Sequence, residues 1–259
     1  MYMKRIIFYS LLLFTPYLSS KPKAICIDVE VLFETSKMRA KNYVGAINAL
    51  KYLKQVGHLP NQEDLFKQLT PVPAISTQLT YNDNLNMPLI FSDWLINLQT
   101  PSSLIKAIDT YLQKSKLSAI EKTIFNNTAH MMLTPEELID TQQVITSSQK
   151  LIEELAQKHY QVYIVGNWAD TASLQHTFKK ALQKCNGLLL SGTLHFLKPY
   201  PEFYQAVLET TQLKLEEVVW IEKEPKFIKQ AQSYGLQVAI FNPQKPKELV
   251  EQLKQFKLL

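Results

Sequence analysis

Residues 23–36 read KAICIDVEVLFETS, from Lys23 to Ser36. Ala24 to Asp28 form a short apolar run that closes on a carboxylate. One residue later comes a second acid, Glu30. A short apolar run bounded in this way reads as a buried strand. In an open parallel sheet, ligands bind beyond the carboxyl ends of the strands. An acid ending such a strand therefore stands at the place where chemistry is done.

The chain around this stretch has 259 residues, enough for one large domain or a core domain with an inserted subdomain. Six glycines exclude collagen-like and low-complexity classes. The 28 Lys and Arg against 23 Asp and Glu leave a net charge of +5, spread without a long basic run. That balance reads as solubility charge, and no nucleic acid is expected as a partner. Cys26 and Cys185 lie far apart in apolar surroundings and read as two buried thiols, not as a zinc pair. Lys4 and Arg5 precede a mostly apolar run, Ile6 to Leu18, of the length of a signal-peptide core. Residues 1–20 therefore read as an export signal or an anchor. Export, or a membrane anchor through residues 6–18, is favoured over a cytoplasmic location, and any membrane contact is expected through this segment alone.

From residue 146 onward the pattern alternates. SQKLIEELAQKH is an amphipathic helix, and YQVYIVGN is a strand ending at Gly166 and Asn167. TASLQHTFKKALQ reads as one helix, NGLLLSGT as a turn and strand, and YPEFYQAVLETTQ as a helix. EEVVWIE is a strand ending at Glu222, and EPKFIKQAQSYG is a helix closed by Gly235. LQVAIF and KPKELVEQLKQF add a strand and a last helix. Apolar strands alternating with amphipathic helices predict an α/β fold, a Rossmann-like parallel sheet with helices on both faces. Residues 36–145 differ. They are polar and helix-like, with Pro and Asn clusters (TPVPAIS, YNDNLNMP) and helix openings at Thr100-Pro101 and Thr134-Pro135. The expected division is a core of 21–35 and 146–259 and an α-helical cap subdomain of 36–145, roofing the cleft.

Four stretches in order, ICIDVEVLF, VYIVGNW, LKPYPEFYQAVLE and VVWIEKEPKFIKQAQSYGLQVAIF, resemble the motifs of the haloacid dehalogenase (HAD) superfamily. The likeness covers nearly the whole chain after the leader. It implies a capped hydrolase, most often a Mg²⁺-dependent phosphatase that works through an aspartyl-phosphate on a small phosphorylated metabolite. By this resemblance Asp28 is the nucleophile and Glu30 the general acid/base. Gly166, Asn167 and Lys198 hold the phosphoryl group, with Lys198 also counted as catalytic. Asp28, Glu30 and Glu222 surround the metal.

The departures from the family pattern are specific. Glu30 stands where Asp is usual, and its extra methylene displaces the carboxyl. Gly166 replaces a hydroxyl residue. Glu222 replaces Asp, and Lys223 puts a positive charge where a second acid is usual, with Glu224 as a substitute ligand if the loop shifts. Lys223 either replaces the metal's charge or projects away from the cleft. The alternative implied is a catalytically inactive HAD-fold protein that binds a ligand or partner. A dehalogenase would use the same nucleophile without Mg²⁺. The five histidines show no spacing for a metal or triad, and the aromatics of FSDWLINL read as core.

Overall fold

A computed structural model of the chain describes residues 22–59, 62–72, 81–82 and 85–259. The leader at 1–20 and part of the Pro- and Asn-rich stretches lie outside the described residues. Among the described residues no helix is long and apolar enough to cross a membrane.

Five strands form one parallel sheet: β1 (Ala24–Asp28), β6 (Gln161–Gly166), β7 (Gly187–Leu190), β8 (Val218–Glu222) and β9 (Gln237–Ile240). Their order is β7-β6-β1-β8-β9, which puts β1 at the centre. Two small antiparallel ladders pair β2 (Phe33–Thr35) with β5 (Gln142–Val144), and β3 (Tyr81–Asn82) with β4 (Met87–Pro88). Between β2 and β5 run α2 (Lys37–Val44), α3 (Ala46–Val56), α4 (Gln62–Leu69), α5 (Leu89–Leu95), α6 (Pro101–Lys114), α7 (Ala119–Leu133) and α8 (Pro135–Asp140). A one-turn helix, α1 (Val29–Leu32), leaves β1 directly. The rest of the core carries α9 (Thr146–Gln157), α10 (Thr171–Thr177), α11 (Lys179–Leu182), α12 (Ser191–Leu194), α13 (Pro201–Thr211), α14 (Pro225–Tyr234) and α15 (Pro246–Gln255).

The sheet is covered on both faces, and strand alternation decides which residue goes where. Ile25, Ile27, Val219 and Ile221 pack with Leu151, Leu155 and Leu253 of α9 and α15. Cys26 and Trp220 face the opposite way, onto Phe203 and Tyr204 of α13 and Ile228 and Ala231 of α14. Asp28 and Glu222 continue that second alternation by two residues. The register pairs Ile27 with Ile221, so the two acids end neighbouring strands side by side. The inserted helices have their own apolar core, including Tyr52, Leu65, Phe91, Leu104, Ile124 and Phe125.

Helix ends mostly follow the predicted signals. The Thr100 hydroxyl accepts from the Ser103 N–H at 3.3 Å, with Pro101 in the first turn of α6. Thr134 sits at the same position of α8 without a side-chain cap bond. Gly235 ends α14 at φ 102°, the left-handed geometry glycine favours. One helix departs from expectation. The stretch 171–183 breaks into α10 and α11 at Phe178, whose ring packs on Phe33 with centroids 4.5 Å apart. The thiols also differ: Cys26 is buried, whereas Cys185 is only partly so, and both are free.

Candidate functional site

The site begins with the two strand-end acids. Asp28 and Glu222 both lie on the α13 face of the sheet, and Lys198, just ahead of α13, reaches between them. Its ammonium donates to Glu222 Oε2 at 2.6 Å and, more closely still, to Asp28 Oδ2. The three side chains are at most 2 % exposed. The Phe227 ring adds an aromatic face 4.2 Å from Lys198 Nζ. Asn167, at the end of β6, holds the lysine's backbone from both sides. Its Oδ1 accepts the Lys198 N–H at 2.9 Å and its Nδ2 donates to the Lys198 carbonyl at 3.0 Å.

Every oxygen of the two acids has a donor. Asp28 Oδ1 accepts the Glu30 N–H at 2.9 Å and so caps α1. Glu222 Oε1 accepts the N–H groups of Lys223 at 2.9 Å and Glu224 at 3.3 Å. Burial and the neighbouring Glu222 carboxylate push Asp28 up to about 8, against the pull of the Lys198 ammonium. Burial alone favours a neutral amine at Lys198. The two carboxylates outweigh it and hold the ammonium above its ordinary range.

Gly166 explains its own identity. It has φ 142°, and a Cβ there would lie 2.8 Å from both Asp28 Oδ2 and Val29 Cγ1. The space that a side-chain hydroxyl needs is filled by the Asp28 carboxylate. Glu30 points elsewhere than the acid pair. It is half exposed and meets the Lys223 ammonium at 3.6 Å. Lys223 therefore has its charge directed at Glu30.

As arranged here, the predicted ligands Asp28, Glu30 and Glu222 do not fit an Mg²⁺ ion. Mg²⁺ needs near-octahedral oxygen ligation at about 2.1 Å. Here a lysine ammonium already bridges Asp28 and Glu222, and Glu30 is drawn to Lys223. Among the described residues no group of three or more His, Cys, Asp and Glu could hold a metal ion.

A cavity of about 950 Å³ lies between the sheet's carboxyl end and the inserted helices. Glu30, Asn167 and Phe227 are on its core side, and Phe66, Phe91 and Trp94 on its helical side. Lys67 and Lys226 reach it, and so do Glu63 and Glu224. The expectation from sequence for Phe91 and Trp94 is a place in the core. They are indeed buried, yet they also form cavity wall. Phe227 was not singled out at all. Its signal was its position, five residues beyond the strand-end acid on the first turn of the following helix.

The roof is tied to the core through the end of α5. Ser191 Oγ donates to the Leu95 carbonyl at 2.8 Å, and Asn97 Nδ2 to the Gly192 carbonyl at 2.7 Å. His195 Nδ1 bonds the Ile96 carbonyl at 2.9 Å. This histidine is structural, in keeping with its lack of partner spacing in the sequence.

A family profile described as haloacid dehalogenase-like hydrolase matches residues 90–241, more than half of the chain. No curated protein matches. Among solved structures, the chain is similar to a HAD family enzyme from Bacteroides thetaiotaomicron, with TM-score 0.55 and 17 % identity, covering 86 % of this chain and 95 % of that one. That enzyme has also been crystallised with magnesium and inorganic phosphate. A predicted HAD-like family hydrolase from Porphyromonas gingivalis matches with TM-score 0.56 and 10 % identity, over 91 % of this chain and 99 % of that one. A dehalogenase captured as an intermediate complex matches with TM-score 0.52 and 17 % identity, over 86 % and 85 % of the two chains. At these identities the likeness is one of fold.

Proposed function

The chain belongs to the haloacid dehalogenase-like hydrolase family, and from that premise we propose that it hydrolyses, slowly, a small phosphate monoester with an apolar body. The observation that carries this reading is Asp28 at the end of the central strand, held against the Lys198 ammonium beneath a cavity whose wall mixes aromatic and charged side chains. In this reading the phosphate enters beside Asn167 and the body lies among Phe91, Trp94 and Phe227. An ionised Asp28 oxygen attacks phosphorus, and the ester P–O bond breaks. The leaving oxygen takes a proton from Glu30. Water then cleaves the aspartyl-phosphate and regenerates the carboxylate, with Glu30 accepting the water's proton. Lys198 offsets charge on the phosphoryl oxygens.

Three features support slowness. Asp28 holds its proton up to about pH 8 and is buried. Gly166 offers no hydroxyl. Lys223 competes for Glu30. The Mg²⁺ dependence usual for the fold is not part of the proposal, because the acids are already bridged by Lys198. The test is phosphate release from a panel of aryl and alkyl phosphates, with and without Mg²⁺, beside Asp28→Asn and Lys223→Asp. Turnover should be lost in Asp28→Asn and should rise with pH toward about 8 in the wild type. Lys223→Asp, which frees Glu30, should gain activity.

The second reading is a ligand-binding protein without turnover. It is supported by the complete engagement of both Asp28 oxygens. It gains if no panel member turns over above Asp28→Asn while the same compounds raise the melting temperature of both proteins equally.

A further inference from the structure

We propose that the outer face of α2 and α3 is a docking surface for an anionic lipid bilayer. From Lys37 to Gln62 the chain contains no acid, but it contains Lys37, Arg39, Lys41, Lys51 and Lys54. All five are exposed. Between them stand three strongly exposed large aliphatics: Met38 at 78 %, Ile47 at 70 % and Leu50 at 58 % exposed. Leu59, just beyond α3, is also exposed.

The arrangement on α3 is periodic. Ile47, Leu50, Lys51 and Lys54 follow the spacing of a single helical face. The other face of α3 buries Tyr52 against Phe125 of α7, with ring centroids 6.0 Å apart. The outer stripe is therefore not a core face left uncovered. It is a second apolar stripe, edged by ammonium groups. Acids near this pair of helices are held by its own side chains. Asp64 accepts from the Tyr52 hydroxyl at 3.3 Å, Glu121 from Gln55 Nε2 at 3.3 Å, and Asp140 from the Tyr43 hydroxyl at 2.9 Å.

The charge chooses the occupant. A second copy of the chain laid symmetrically on this face would set five cations against five, so self-association is disfavoured. Aliphatic side chains interspersed with lysines match a headgroup layer instead. The apolar groups enter the acyl boundary while the ammonium groups meet lipid phosphates and carboxylates. An acidic protein would satisfy the lysines but would not by itself call for Met38, Ile47 and Leu50 in the open.

The test uses the full chain in co-sedimentation with two kinds of vesicle, pure phosphatidylcholine and phosphatidylcholine with phosphatidylglycerol. Because residues 1–20 are the same in every protein compared, differences report on α2 and α3. Binding to the anionic vesicles should exceed binding to the zwitterionic ones about tenfold at low salt, and the excess should shrink as salt rises. Lys51→Glu with Lys54→Glu should remove that excess. Ile47→Ser with Leu50→Ser should weaken anionic binding several-fold while leaving its salt dependence in place. These positions are exposed, and far-UV circular dichroism should show both variants folded. Equal binding to the two vesicle types, no binding to either, or a charge-reversed variant that binds like the wild type would each overturn the proposal.

Discussion

Asp28 is asked to be two things that burial sets against each other, a nucleophile and part of a dry ion cluster. Its folded-state pKa is raised to about 8 from an ordinary value near 3.8. The folded protein therefore holds a proton on Asp28 across a pH range in which the unfolded chain has lost it. For such a group, the stability it contributes is full below the unfolded value and is lost as pH rises toward the folded one. Unfolding free energy measured by urea titration should fall between about pH 4 and 8 more steeply in wild type than in Asp28→Asn. Parallel pH curves for the two proteins would contradict the assignment. Gly166 offers a second test at this scale. Gly166→Ser restores the missing hydroxyl but drives its Cβ toward Asp28 Oδ2 and Val29 in a positive-φ conformation. It should destabilise by about 1–3 kcal/mol and should not raise phosphatase activity, as thermal melts and the phosphate panel would show.

The elements place these residues by simple rules. Strand alternation sends Asp28 and Glu222 to the α13 face, and the Lys-Pro step before α13 brings Lys198 between them. Breaking that cluster at its centre, by Lys198→Met, leaves two buried carboxylates without their cation. A loss of about 3–5 kcal/mol is expected by chemical denaturation. The roof depends on α7, the longest of the inserted helices. Its first turn is closed by a capping box in which Ser118 Oγ accepts the Glu121 N–H at 3.3 Å and Glu121 Oε2 accepts the Ser118 N–H at 2.9 Å. Ser118→Ala should lower stability by about 1 kcal/mol without changing the ion cluster around Lys198. Differential scanning calorimetry would read the first effect, and the pH dependence of stability the second.

At the scale of the whole molecule, the cavity lies where the inserted helices meet the sheet, and Ala169, Leu197 and Phe227 of the core pack into the inserted helices' apolar cluster. Trp94 comes from the inserted helices and Trp168 from the loop after β6, and both line the cavity. A ligand with an apolar body should therefore change tryptophan fluorescence and stabilise the molecule as a unit. At a hundredfold excess over Kd the gain is about 2.7 kcal/mol, visible as a single shifted unfolding transition. The three bonds that Ser191, Asn97 and His195 make between roof and core make that coupling direct. Two separate transitions, with only one responding to ligand, would show that roof and sheet act independently.

Much of this was written in local sequence. Ala24–Asp28, Val218–Glu222 and the strands beside them announce a parallel sheet because both faces of each strand are apolar. The strand-end acids could be named for the same reason, since a buried strand that ends in a charge has few uses, whereas Lys198 was marked by its Lys-Pro stretch before a helix. Local sequence was silent where the answer depended on residues far apart in the chain. It could not say that Lys198 stands between Asp28 and Glu222, because the contact spans 170 residues on one side and 24 on the other. Nor could it say that Lys223 turns to Glu30, or that Gly166 is glycine because Asp28 fills its Cβ space. Periodicity reports which face of an element is apolar, and only packing decides what that face meets. The sequence by itself therefore determined the fold and the list of charged actors. The tertiary structure decided that Lys198 stands between Asp28 and Glu222 in a dry cluster and that Lys223 turns to Glu30.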